Sequence, residues 1–196
     1  MANDETRWIT DVKALKVFTH PLRIKLYRAL HTARKATASQ LAEQVDEAVS
    51  LVSYHLRKLA EHGFIVEAPG ESSDGRERWW QPSSERGVSV RSSDFAGQPE
   101  GAAVMSEMNR QVLATRYERY SRYLDQHGAW PQAWEDVAFS SEYLVRLTSE
   151  EMRQLAEEME AFVLRWQARG RAADKAGDAE GREHVSLHLY GFPFRD

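Results

Sequence analysis

The stretch VSLVSYHLRKLAEHGFIVEA, residues 49–68, constrains the fold more than any other part of the chain. Val49, Val52, Leu56, Leu59 and Ala60 recur three or four residues apart, the spacing of one helix face. Gly63 supplies the left-handed residue at which helices stop. The tract FIVEA that follows has the branched and aromatic content of a strand. The opposite helix face carries Ser50, Ser53, Tyr54, Arg57 and Lys58. Two hydroxyls, a phenol and two cations on one short exposed face suit the major groove of B-form DNA.

The flanking segments supply the frame for such a helix. Residues 11–18 predict a first short helix with Val12, Leu15 and Phe18 or Val17 inward. His20-Pro21 opens a second, since proline is well placed where a helix has no partner for an N–H. Its stripe is Leu22, Leu26, Ala29 and Leu30, and residues 31–36 read as a polar connection. TASQLAEQV, residues 37–45, predicts a third helix with Leu41, Ala42 and Val45 inward. Asp46 to Val49 is the turn. FIVEA and RERWWQP then predict a hairpin around Pro69–Gly75, a wing whose arginines, Arg76 and Arg78, suit phosphates or the minor groove. Trp79 and Trp80 are adjacent on that strand and must face opposite ways, one into the wing's core.

In this order and spacing, HPLRIKLYRAL, TASQLAEQV, VSLVSYHLRKLAEHGFIVEA and DGRERWWQ resemble the winged helix-turn-helix repressors of the ArsR type over about residues 11–82. The resemblance implies a homodimer that binds double-stranded DNA, controls transcription and in many members responds to an effector. It places Ser50, Leu51, Ser53, Tyr54 and Arg57 at the groove-facing positions. It makes His55, before Leu56, a packed or phosphate-facing residue. Ala48 stands where a serine is common at the turn, which makes Asp46 the expected cap of the following helix. Many ArsR-type sensors carry a cysteine pair in the third helix. Here Thr37-Ala38-Ser39 stands in that place, and the chain has no cysteine. That metal or arsenic site is therefore excluded, with disulfides and thiolate nucleophiles.

Beyond the wing, residues 83–101 are rich in Ser and Gly and read as a linker. A long helix is expected over roughly 101–127, with Met105, Met108, Val112, Tyr120, Tyr123 and Leu124 near helical spacing; its wide stripe suits pairing with a second subunit. DVAFSSEYLVRL and HVSLHLYGF alternate like strands. Between them Thr148 and Glu151 make a capping box for a helix reaching about 169, with Met152, Leu155, Ala156, Met159, Phe162, Val163 and Trp166 on one side. The expected fold is mainly α with small β, an α+β chain. Residues 1–85 form a winged helix-turn-helix domain, 86–101 a linker, and 102–196 a dimerisation domain made of the long helix and a strand–helix–strand element. Its many aromatics admit two readings, a filled core or a pocket for a small organic effector touching Tyr120, Trp134, Tyr143 and Trp166.

Charge is uneven. The net charge is −4. Residues 1–90 hold 13 Lys+Arg against 12 Asp+Glu, and residues 91–196 hold 13 against 18, so the acidity lies in the second half. Glu150, Glu151, Glu157, Glu158 and Glu160 account for much of it and read as a solvated helix face. Phosphate contacts respond to local charge, so a neutral first half can still bind DNA through one cationic face. Near-neutrality equally admits a second class of function, a winged-helix module that binds a partner protein. No nucleophile elbow, phosphate loop or HExxH motif is present, and no enzyme or cofactor is expected. His184 and His188 are four apart, which does not complete a metal site. No run of 18 apolar residues and no basic-then-apolar leader occurs, so the expected location is the cytoplasm, away from membranes.

Overall fold

A computed structural model describes residues 6–69, 77–126 and 128–195. The chain divides into two units, Met1–His127 and Gly128–Asp196. The first contains β1 (Arg7–Ile9), α1 (Val12–Val17), α2 (Pro21–Ala33), β2 (Ala36–Thr37), α3 (Ala38–Val45), α4 (Val49–Glu61), β3 (Ile65–Ala68), β4 (Trp79–Pro82), β5 (Val88–Val90) and α5 (Pro99–Asp125). The second contains α6 (Gln132–Glu135) and α7 (Ser149–Ala176). No described helix is long and apolar enough to cross a membrane.

The helix starts are chemically distinct. Asp11 caps α1 by accepting from the Ala14 N–H at 2.8 Å. His20 caps α2 through Nδ1, which accepts from the Leu22 N–H at 3.2 Å, with Pro21 in the first turn. Thr37 and Gln40 form a reciprocal capping box on α3. The cap of α4 differs from expectation. Asp46 is the left-handed C-cap of α3 (φ 54°), and Ala48 starts α4 with no side-chain bond. Asp46 is spent ending one helix and is two residues too early to begin the next. Gly63 follows α4 at φ 66°, as expected of a chain reversal into β3.

These helices enclose one core. Leu15, Leu26, Leu30, Leu41, Val52, Leu56, Leu59, Phe64 and Ile65 are fully buried in it. Phe18 meets Phe64 edge-on with centroids 4.7 Å apart, joining α1 to the end of α4. The wing hairpin pairs β3 with β4 antiparallel, Ile65 opposite Pro82 and Ala68 opposite Trp79. The strand β2 adds to the other edge of β4, giving the order β2-β4-β3. Trp80 is buried and Trp79 half-buried beneath the Lys35 ammonium, 5.0 Å from its ring.

Three expectations need correction. Residues 86–101, expected as a linker, belong to the first unit: β5 pairs in parallel with β1, Arg7 opposite Val88, and Phe95 is buried in the core. Gly101 lets the first turn of α5 approach Phe95, since a Cβ there would lie 3.2 Å from the Phe95 side chain. The helix α5 is likewise docked on this unit, by Met105 and Met108 and by the Arg28 guanidinium donating to Thr115 Oγ1 at 2.8 Å. Its later face is open, with Tyr117, Tyr120 and Leu124 exposed. Finally, residues 138–147 and 183–195 form no strand within the chain. Their alternation is real, but a strand also requires a hydrogen-bonded neighbour. No backbone pair joins these tracts to each other or to anything else described. The Thr148–Glu151 capping box, in contrast, forms as expected and starts α7.

Candidate nucleic-acid interface

The turn between α3 and α4 is three residues long, and Leu41, Ala42, Val52 and Leu56 seal the two helices together. Buried Val52, His55, Leu56 and Leu59 fix which side of α4 faces inward. The opposite side presents Ser50, Leu51, Tyr54 and Arg57 to solvent, with Ser53 and Lys58 half-exposed. Val49, expected in the buried stripe, is also exposed. It sits in the first turn, before α4 has reached the core, and adds an apolar contact to the outward face.

The wing closes this face into a groove. A cavity of about 320 Å³ is lined by residues of α3, α4 and β4, with Ser39, Ser53, Arg57, Arg78, Glu77 and Trp80 on its wall. Ser53 and Arg57 are thereby brought together with Arg78. Ser39 was not anticipated. It lies in the first turn of α3, and its hydroxyl donates to Glu77 Oε1 at 2.8 Å across the groove. Arg78 Nε lies 3.4 Å from Glu67 Oε2, and its guanidinium sits 5.5 Å from the centre of the Trp80 ring. Lys58 donates to Glu61 Oε2 at 2.8 Å and lies 5.9 Å from the Tyr54 ring. The hydrogen bond to Glu61 holds the Lys58 ammonium above its ordinary pKa. Arg76 lies outside the described residues.

Behind this face lies a partly buried cluster, with Arg23 beside two histidines, that sequence reasoning missed. The His20 and His55 rings lie 4.4 Å apart, and Tyr54 meets His55 edge-on at 5.1 Å. Burial lowers the pKa of both histidines; the Arg23 charge lowers both further, and His20 lowers that of His55. His55 is thus packed and neutral. Arg7 fastens the other end of α4. Its guanidinium donates to the carbonyls of Gly63 and His62, each at 2.6 Å, and lies 4.9 Å from the Phe64 ring. An Arg at residue 7 carries no local signal for this, because its partners are 55 and 56 residues away.

The expected effector residues do not gather. Tyr120 belongs to the first unit and stacks on Tyr123 with centroids 6.2 Å apart. Trp134, Tyr143 and Trp166 belong to the second, where no described ring contact joins any two of them. Tyr143 is 82% exposed. Among the described residues no three His, Asp or Glu side chains converge as a metal site.

With this geometry in view, residues 18–68 match the family model described as a helix-turn-helix domain. The segment is a helix-turn-helix domain. No curated protein matches the chain. Among solved structures, the chain is similar to a mutant of MarR from E. coli complexed with operator DNA, at 13% identity and a TM-score of 0.32, covering 77% of this chain and 84% of that one. It is also similar to a mutant of Lactococcus lactis ZitR in apo form, at 17% identity and a TM-score of 0.30, covering 76% and 83%. A third similar chain is Lactococcus lactis ZitR described as a zinc-responsive MarR family member, at 17% identity and a TM-score of 0.28, covering 76% and 74%.

Proposed function

We propose that the protein is a sequence-specific, homodimeric DNA-binding transcriptional regulator of ArsR-like type, acting in the cytoplasm. The observation that carries this is the open groove in which Ser53 and Arg57 of α4, Ser39 of α3 and Arg78 of the wing face the same space. Hydroxyls and a guanidinium on a helix read base edges in the major groove, and exposed Leu51 offers an apolar contact to a thymine methyl. Arg78 lies just before the wing strand β4, where phosphates replace Glu67 as its partner. The ArsR cysteine positions are filled by Thr37 and Ser39, which here cap a helix and meet the wing. Regulation through a thiolate metal site at that place is excluded.

Fluorescence anisotropy against DNA from upstream of the protein's own gene, at two salt concentrations and with competitor DNA, tests the proposal. Specific binding that falls steeply with salt supports it, because phosphate contacts release counterions. Arg57→Ala should weaken specific binding by about 1–3 kcal/mol. Unchanged affinity would remove Arg57 from the interface. A second reading has its own support: Lys58 is engaged by Glu61 and Arg78 by Glu67, so the face is partly self-neutralised. A module that docks a partner protein would show no binding to random genomic fragments and a weak salt dependence.

A further inference from the structure

The second unit exposes a regular apolar seam on α7. Leu155, Met159, Phe162 and Trp166 are 39, 37, 45 and 54% exposed. Their spacing is four, three, four; Met152 continues the same 3.5-residue repeat at one end, and at the other Arg169 takes the next position, lying over the Trp166 ring, with Ala173 after it. Such a repeat is the seam of a two-helix coiled coil. The helix runs 28 residues, about 42 Å, and the repeat from Met152 to Ala173 spans three heptads of it. A trough of about 400 Å³ lined by Leu155, Met159, Phe162 and their neighbours is shaped to take a side chain from a facing helix. The returning C-terminal segment does not cover it: Gly191 meets Met152 at one end of the seam, while the four central residues stay exposed.

We propose that this seam is closed by α7 of a second copy of the chain, packed antiparallel about a dyad between residues 160 and 161. The flanking charges select that arrangement. With Met152, Met159 and Trp166 as one core position and Leu155 and Phe162 as the other, Glu158 and Arg165 fall on the same edge, seven residues apart. About this dyad Met159 opposes Phe162 of the second copy, Leu155 opposes Trp166, and Glu158 of each copy faces Arg165 of the other. The opposite edge brings Ala156 against Val163. Sliding the pair by one heptad places Glu158 against Glu158 or Arg165 against Arg165, which is repulsive. Parallel packing sets Glu158 against Val163 and Arg165 against Gly170, with no ion pair. The two residues are available for this role. Glu150 and Glu157 hold Arg153 within the helix, whereas neither Glu158 nor Arg165 has an ion pair among the described residues. Arg165 lies 5.6 Å from the Phe162 ring, at the edge of the seam it would flank.

This pairing rests on the homodimer of the proposed function and names the surface that closes it; its test needs no DNA, so a dimer without the mixed cross-link would overturn the seam alone, and a failure to bind DNA would leave the seam standing. The chain has no cysteine, so Glu158→Cys and Arg165→Cys each introduce a single thiol at an exposed position. The two full-length variants are mixed at micromolar concentration, treated with a short bis-maleimide and digested. A cross-linked peptide joining residue 158 to residue 165 should dominate the mixture, at several times the yield of either variant linked to itself. Efficient self-linking of Glu158→Cys would overturn the register or the orientation. Absence of the mixed cross-link, or a monomeric mass for the unmodified chain by light scattering, would overturn the seam itself. As a second readout, Glu158→Arg should weaken self-association at least several-fold, and adding Arg165→Glu should restore it. No restoration would also count against the pairing.

Discussion

At the residue scale, α4 is held by groups that lie away from the face proposed to meet DNA. Arg7 donates to two carbonyls at the α4 terminus while its guanidinium lies against Phe64. Charge-assisted bonds of this kind are the stronger ones. Arg7→Ala should therefore lower unfolding stability by about 2 kcal/mol, read from urea denaturation. A change within about ±0.5 kcal/mol would show that the bonds are matched by water in the unfolded chain. A second residue sets a pH limit. Burial, aided by the Arg34 charge, pushes the His31 pKa down to about 4 from 6.5. Its ring lies edge-on to Tyr27 with centroids 4.6 Å apart. The folded state thus resists a proton that the unfolded state accepts. The resulting stability is present in full above pH 6.5 and is lost as the pH falls from 6.5 towards 4, by roughly 3 kcal/mol at most. Thermal melts at pH 7.5, 6 and 5 should show this decline, and His31→Leu should flatten it. An equal decline in the variant would assign the effect elsewhere; His20 and His55, also lowered by burial, are the neighbours that share its sign.

At the element scale, what the sequence reveals and what it hides divide by the range of the interaction. The helix α4, its outward face and its stop at Gly63 are legible because they rest on neighbours within four residues. The wing is legible because β3 and β4 follow one another closely in the sequence. Val49 misleads because periodicity marks a side of the helix and not how far along it the core extends. The pairing of β1 with β5 is hidden: each strand has three residues, the two are parallel, and 81 positions separate Arg7 from Val88. Ser and Gly around β5 then read as a linker, although Phe95 is anchored in the core. In the proposed interface, Ser53, Arg57 and Arg78 were legible, while Ser39 was not, because only the folded wing brings it into the groove. The helix and wing should also be separable by salt. If Arg78 holds a phosphate, Arg78→Gln should weaken binding about equally to operator and random DNA. It should also reduce the log–log salt slope by roughly 1. A slope unchanged in titrations at three salt concentrations would leave Arg78 paired with Glu67 in the complex and remove the wing from phosphate binding.

At the scale of the whole molecule, the two units differ in kind. The first has a continuous core running from Ile9 to Met108 and extended by Val112. In the second, the only buried apolar residue among those described is Ala173, while Phe139, Leu144, Val145, Phe162, Trp166, Val185 and Phe192 are exposed. Exposed apolar surface of that extent marks an interaction site. Most of a helix's stability in a protein comes from packing its apolar face, and α7 leaves that face largely exposed. Residues 128–195 should then owe their stability to a second copy, and residues 6–126 should not. The consequence is a heat-denaturation profile with two transitions. The lower one belongs to the second unit and moves up as the protein is concentrated, since association binds the folded form only. The upper one belongs to the first unit and stays fixed. Circular dichroism melts over a hundredfold range of protein concentration measure both. For a unit of about 70 residues, each kcal/mol of association free energy should move the lower midpoint by several degrees. A single transition at a midpoint independent of concentration would mean that the second unit is stabilised within its own chain, and that its exposed seam serves some other partner.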